Sequence, residues 1–114
     1  MTDKELLELA AKAAGIEIIS DAEEKGLWIK HKFLAWNPLT DDADALRLAV
    51  KLGINILTYP IHNPDDRHSV IARIANPLEA ANPTQVIEEY GDDPYAATRR
   101  AIVRAASEIG RGME

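Results

Sequence analysis

The spacing of apolar positions divides the chain into helical and extended stretches. Over residues 3–14, leucine and alanine recur every three or four positions, which predicts a helix with one buried face. Thr2 and Glu5 fit a capping box at its start, and Gly15 follows where a helix end favours a left-handed residue. The first element is therefore predicted to be a helix.

Two further helices are predicted by the same period and by the residues at their ends. The second begins at Thr40 or Asp41, carries acidic residues in its first turn and ends at Gly53. The third is capped by Asp93, with Pro94 at the first helical position, where its missing N–H costs nothing. Its apolar stripe is rich in alanine, and four arginines occupy its other faces. It is expected to end at its two glycines, Gly110 and Gly112.

Extended stretches lie between these helices. Short runs of alternating or β-branched residues predict four strands, at 16–20, 27–33, 54–59 and 68–75. The first two are expected to form a hairpin, and the last two to pair antiparallel across a loop. Prolines and a glycine between residues 76 and 93 predict a mostly irregular segment, with a short helical turn at 84–90.

This order of elements predicts the α+β class. A roughly four-stranded, mainly antiparallel sheet with three main helices on its two faces would bury every apolar stripe, giving a three-layer α/β/α sandwich. The main alternative is a two-layer fold with all helices on one side. A single domain over residues 1–114 is expected, because a chain of this length supplies one core and not two.

Composition narrows the function classes. The 114 residues include no cysteine, which excludes disulfides, thiolate catalysis and cysteine-ligated metal sites. The net charge of −6 disfavours broad nucleic-acid binding. No apolar run is long enough to span a bilayer, and the N-terminus lacks a signal-peptide pattern, so a reducing cytoplasm is the expected compartment. No catalytic constellation or phosphate loop is recognisable, so we expect neither an enzyme nor a cofactor.

An acidic cluster precedes the second helix. Asp41, Asp42 and Asp44 could hold Mg²⁺ or Ca²⁺ through carboxylate oxygens, with Asp92 and Asp93 as the only obvious further donors. The favoured interpretation is that the three acids cap the helix and stabilise its positive end. We therefore assign no metal ligand.

Arginines on the third helix are the first candidate binding residues. Arg100 and Arg104 are four residues apart and share a face, and Arg99 lies beside them. Guanidinium groups suit phosphates and carboxylates. The favoured interpretation is a solvated face, with Arg104 reaching Glu108 one turn later.

Aromatic residues on loops supply the second candidate surface. Trp36 stands before Asn37 and a proline, where it could stack on a base or anchor a partner. Core packing is the favoured interpretation for this tryptophan. Tyr95, in the first turn of the third helix, is a second aromatic that could stack on a ligand.

Three blocks of the sequence carry a family resemblance. They are LLELAAKAAG at 6–15, WNPLTDDADALRLAVKL at 36–52 and DPYAATRRAIVRAA at 93–106. The chain resembles the phage ABA sandwich domain family and is distantly similar to NinX-like phage proteins. Ala43 stands where the family's loop would be expected to have glycine. The resemblance implies a small phage or prophage protein with a three-layer fold, and it implies no established activity.

Three functional hypotheses follow. The leading one is a phage accessory protein that binds a host or phage protein through the Trp36 loop and the arginine face, with a homodimer as a further assembly. The second is a small-ligand protein that binds or sequesters a nucleotide-type anion through the same arginines and aromatics. The third is a metal-dependent enzyme built on the acidic cluster.

Overall fold

A computed structural model describes residues 1–20, 27–30, 34–59, 69–74 and 84–113 of the chain. These residues form three helices and six strands, in the order α1 (Asp3–Ala14), β1 (Ile18–Ser20), β2 (Leu27–Ile29), β3 (Leu34–Trp36), α2 (Asp42–Leu52), β4 (Ile54–Thr58), β5 (Ser69–Ile74), β6 (Thr84–Glu89) and α3 (Pro94–Gly112). The predicted α+β class is confirmed. Within these ranges no helix combines the length and apolarity that crossing a membrane requires.

The helices begin where the sequence signals placed their starts. The Thr2 hydroxyl accepts a hydrogen bond from the Glu5 backbone N–H at 3.2 Å, and the Asp93 carboxylate caps α3. Gly15 and Gly53 follow α1 and α2 with φ of 69° and 66°, in the left-handed region that favours glycine. These local predictions are confirmed because capping depends on neighbours within one turn.

The strands form two sheets, where a single four-stranded sheet was predicted. Over the described residues, one sheet has the order β1-β2-β3 and the other β4-β5-β6, and all neighbours are antiparallel. The predicted hairpin of the first two strands and the pairing of β4 with β5 are confirmed. The predicted strand 27–33 ends at Ile29, and its positions 31–33 lie outside the described residues. Strand β3 was not predicted.

The helical turn predicted at 84–90 is wrong, because residues 84–89 form β6. This strand pairs along its whole length with β5, and Val86 faces inward beside Ala72. Pairing with a neighbouring strand supplies backbone hydrogen bonds that a single helical turn would leave unmade. The stretch places the apolar pair Val86-Ile87 before the acidic pair Glu88-Glu89, so it lacks the alternation by which a half-buried strand is recognised.

The core forms between the helices and one face of the β4-β5-β6 sheet. Val70, Ala72 and Val86 are buried on that inner face, and α3 lies over all three strands. Helices α1 and α2 both pack on α3. The first sheet contributes Leu27 and Trp36 to the same core. Residues on the opposite side of the β4-β5-β6 sheet, which we call the outer face, are Asn55, Leu57, Ile71, Arg73, Gln85, Ile87 and Glu89.

The two glycines predicted to end α3 have different roles. The helix ends at Gly112, as expected, whereas Gly110 lies inside the helix and is buried. A Cβ atom built at Gly110 would overlap the backbone carbonyl oxygen of Leu9 in α1. The glycine is therefore required by the close approach of two helices, and not by a helix end.

Replacing Gly110 by alanine is expected to lower the free energy of unfolding by about 1–3 kcal/mol, because the added methyl group forces α1 away from α3. Gly112→Ala is the matched control, since nothing lies within 4 Å of a Cβ at that position. Urea unfolding of both variants measures the difference. Equal stability of the two variants would contradict the described packing of α1 on α3.

Candidate functional site

A groove opens between the first half of α2, the end of β4 and the start of α3. Its volume is ≈ 570 Å³. It is lined mainly by apolar and aromatic side chains: Ala45, Leu46, Ile56, Tyr59, Tyr90, Pro94, Tyr95 and Ile102, with Asp42, Thr58, Thr98 and Arg99 as its polar members. Clefts of this size and composition are the usual form of binding sites. The groove is therefore the candidate functional site.

Large apolar side chains stand exposed around the groove. Leu46 is 61% exposed, Tyr95 65% and Tyr59 42%, while Ile102 and Tyr90 beneath them are buried. Covering this much exposed apolar surface with another molecule would lower the free energy. A ligand that covered Leu46 and the two tyrosines would gain that energy.

The hydroxyl of Tyr90 fixes one wall of the groove. It donates to the carbonyl oxygen of Tyr59 at 2.8 Å and accepts from the backbone N–H of Tyr59 at 3.0 Å. These two bonds tie the residue that follows β4 to the residue that follows β6. Sequence analysis missed Tyr90, because it fell in a segment interpreted as loop and helical turn. The available signal was the adjacent β-branched pair Val86-Ile87, followed by a tyrosine directly before Gly91.

Arg99 joins α3 to the segment that precedes α2. Its Nε donates to the carbonyl oxygen of Leu39 at 2.9 Å, and its Nη1 donates to Asp42 Oδ1 at 2.6 Å. The Arg99 side chain is only 16% exposed. The guanidinium group of this candidate binding residue is therefore occupied by hydrogen bonds within the protein. The charges of Arg99 and Asp42 cancel each other at the polar end of the groove.

Asn37 organises the turn between β3 and α2. Its side-chain Oδ1 accepts from the Leu39 N–H at 3.0 Å, and its carbonyl oxygen accepts from the Asp41 N–H at 2.9 Å. Its own N–H donates to Asp44 Oδ2 at 3.0 Å. Asn37 thus sets the position at which α2 begins and, through Leu39, the position of the carbonyl that Arg99 binds.

Each acid of the Asp41, Asp42 and Asp44 cluster has a protein partner. Asp41 caps α2 by accepting from the Asp44 N–H at 3.1 Å, which confirms the capping interpretation for Asp41 alone. Asp44 is buried and also accepts from Arg47 Nη2 at 2.8 Å, while Asp42 pairs with Arg99. Among the described residues, no group of three or more acidic or histidine side chains is placed to hold a metal ion.

Arg100 and Arg104 lie outside the groove and share one carboxylate. Arg104 Nη1 lies 2.6 Å from Glu88 Oε1, and Arg100 Nε lies 3.7 Å from the same oxygen. Arg100 also contacts Asp3 at 3.1 Å. The predicted contact of Arg104 with Glu108 is replaced by this bond to β6, because Glu88 faces the helix from the sheet below. Both guanidinium groups therefore have carboxylate partners within the protein.

The two candidate aromatics have opposite environments. Trp36 is 4% exposed and belongs to the core, so its ring is not presented to solvent for stacking. It lies beneath a second, more polar depression between α2 and the β1-β2-β3 sheet. Tyr95 stands on the rim of the groove. Of the six sequence-derived candidates, the groove brings together Tyr95 and Arg99.

Replacing Arg99 by alanine is expected to lower the free energy of unfolding by about 1–2 kcal/mol, since Leu39 loses its donor and Asp42 its ion pair. The control is Arg111→Ala on the same helix. Among the described residues Arg111 makes exposed contacts, with Glu108 at 3.6 Å and with Met1 Sδ at 3.8 Å, and its loss should change stability by less than about 0.5 kcal/mol. Denaturant titration measures both. An equal loss of unfolding free energy in the two variants would contradict an anchoring role for Arg99.

Tyr90→Phe is expected to destabilise the protein by about 1–2 kcal/mol, because two hydrogen bonds to Tyr59 disappear while the ring volume is kept. Tyr95→Phe removes an exposed hydroxyl and serves as the control. Thermal and denaturant unfolding compare them, and the amide resonance of Tyr59 should shift only in Tyr90→Phe. An unshifted resonance would contradict the described bond.

Comparison of the chain with protein-family models, with curated proteins and with solved structures finds no match. The resemblance to the phage ABA sandwich domain family therefore stays a prediction from the sequence. We derive the function of the groove from its own residues and geometry.

Proposed function

We propose that the protein is a non-catalytic protein-binding module whose groove takes an extended, apolar segment of a partner protein. The observation that carries this proposal is the position of the apolar groove beside β4, a strand at the edge of its sheet. An open edge offers backbone hydrogen bonds, and an adjoining groove offers pockets for side chains.

The geometry of β4 supports strand addition. Within the described residues β4 pairs with β5 on one side, and its other edge has no strand partner. Ile56 and Thr58 both line the groove, because residues two apart in a strand lie on the same face. A strand added beside β4 would therefore project every second side chain into the groove, next to Leu46 of α2.

The charges around the groove favour an apolar occupant. Arg99 and Asp42 neutralise each other, so the described lining of the groove offers no free cation for a phosphate. Tyr59 and Tyr95 combine an apolar ring with a hydroxyl that can stay in water, which suits a rim that a peptide covers. The alternative of a nucleotide-type anion would require Arg99, Arg100 or Arg104 to give up a carboxylate partner.

The biological setting belongs to the same proposal. The resemblance of residues 6–15, 36–52 and 93–106 to the phage ABA sandwich domain family supports a phage or prophage accessory protein that acts in the cytoplasm of the bacterial host. The same resemblance supports the family's three-layer arrangement. A host or phage protein would supply the extended segment.

The test begins with selection from a library of randomised twelve-residue peptides displayed on yeast. The selected sequences are then made as purified peptides, and their affinities are measured. Leu46→Glu should weaken binding by on the order of tenfold or more, because it places a charge among apolar contacts. Val50→Glu is the matched control. It changes another exposed apolar residue of α2 that does not line the groove, and it should leave affinity unchanged.

The expected result is a set of peptides with apolar residues at alternate positions, whose binding depends on Leu46 and not on Val50. Failure to enrich such peptides, or equal affinity of the two variants, would contradict the proposal. A parallel thermal-shift measurement with a panel of nucleotides tests the alternative, which is binding of a nucleotide-type anion. A rise in melting temperature with a nucleotide, without peptide binding, would support anion binding instead.

A further inference from the structure

The outer face of the β4-β5-β6 sheet carries an apolar row across all three strands. The register places Leu57 beside Ile71 and Ile71 beside Ile87. Leu57 is 43% exposed and Ile87 57%, whereas the inner face is covered by α3. Three adjacent large apolar side chains on an open sheet face are typical of a surface that another molecule covers.

Polar residues flank this row unequally. On one side the register aligns Asn55, Arg73 and Gln85, and on the other side it aligns Ser69 with Glu89. Arg73 donates from Nε and Nη2 to the neutral Gln85 Oε1, at 3.2 and 2.9 Å. Within the part of the chain that the structure describes, neither Arg73 nor Glu89 has an ion-pair partner. The face therefore has one positive side and one negative side.

We propose that this outer face binds a second copy of the chain, through a two-fold axis that runs along the apolar row. Such an axis stacks each residue of the row on its own counterpart and exchanges the two flanks. Arg73 of each copy then lies near Glu89 of the other, one strand away. The face is thus complementary to itself, as a two-fold interface requires.

The same charges exclude the other simple arrangement. A two-fold axis parallel to β5 would keep each flank on its own side and place Arg73 opposite Arg73 of the second copy. Like charges in that position repel each other. The charge pattern therefore selects one orientation and not merely an apolar contact.

The size of the face sets the expected affinity. Three strands about 4.8 Å apart and about five residues long cover much less than the roughly 800 Å² per partner of stable interfaces. We expect a reversible dimer with a dissociation constant on the order of 100 μM. The dimer does not use the groove, so it is independent of the peptide-binding proposal.

Sedimentation velocity across a concentration series up to about 1 mM is the first measurement, chosen to span that dissociation constant. The wild-type chain should move from monomer to dimer across the series, and Ile87→Glu should remain monomeric. Leu46→Glu, which alters the groove, should dimerise like the wild type. A wild-type chain that stays monomeric over the whole range would overturn the proposal.

Substitutions that exchange the charges of Arg73 and Glu89 test the orientation of the two copies in the dimer. Arg73→Glu and Glu89→Arg should each weaken dimerisation by on the order of tenfold, since each replaces attraction by repulsion at two symmetric places. The double variant should recover it, and a mixture of the two single variants should form a heterodimer. Circular dichroism checks that each variant is folded. Failure of both the double variant and the mixture to restore the dimer would overturn the two-fold arrangement.

Discussion

The close packing of α3 is the constraint on which the rest of the structure depends. Alanines 101, 105 and 106 are fully buried, and Gly110 lies against the backbone of Leu9, so the sheet and α1 both approach the helix closely. The first turn of α3 instead carries the larger Pro94 and Tyr95, which line the groove together with the first half of α2 and the end of β4.

Polar anchors then decide the shape of the open end. Arg99 ties α3 to the turn before α2, and the Tyr90 hydroxyl ties the end of β4 to the end of β6. The arginine side chains of α3 that could have attracted an anion are paired with carboxylates of the protein itself. Among the described residues, the apolar groove lies beside a strand edge that has no strand partner, and this combination is the basis of the proposed peptide addition.

Local signals were enough to predict the helices and their starts, because caps such as Asp41 and Asp93 act within one turn. Contacts between distant segments were not predictable in this way. Nothing near Arg104 in the sequence indicates that its partner is Glu88 on β6, and Gly110 gives the same local signal as a helix terminator. The groove was only partly anticipated, since Tyr95 and Arg99 were candidates but Leu46 and Tyr59 were not. Tyr90 follows β6, a strand that was not foreseen.

Amide hydrogen exchange along β4 tests the central claim most directly. The backbone amides of Ile54–Thr58 that point away from β5 should exchange rapidly in the free protein, because none of the described strands covers that edge. They should become protected when a selected peptide is bound, while the amides paired with β5 change little. Protection of the edge amides in the free protein, or unchanged exchange in the complex, would contradict strand addition.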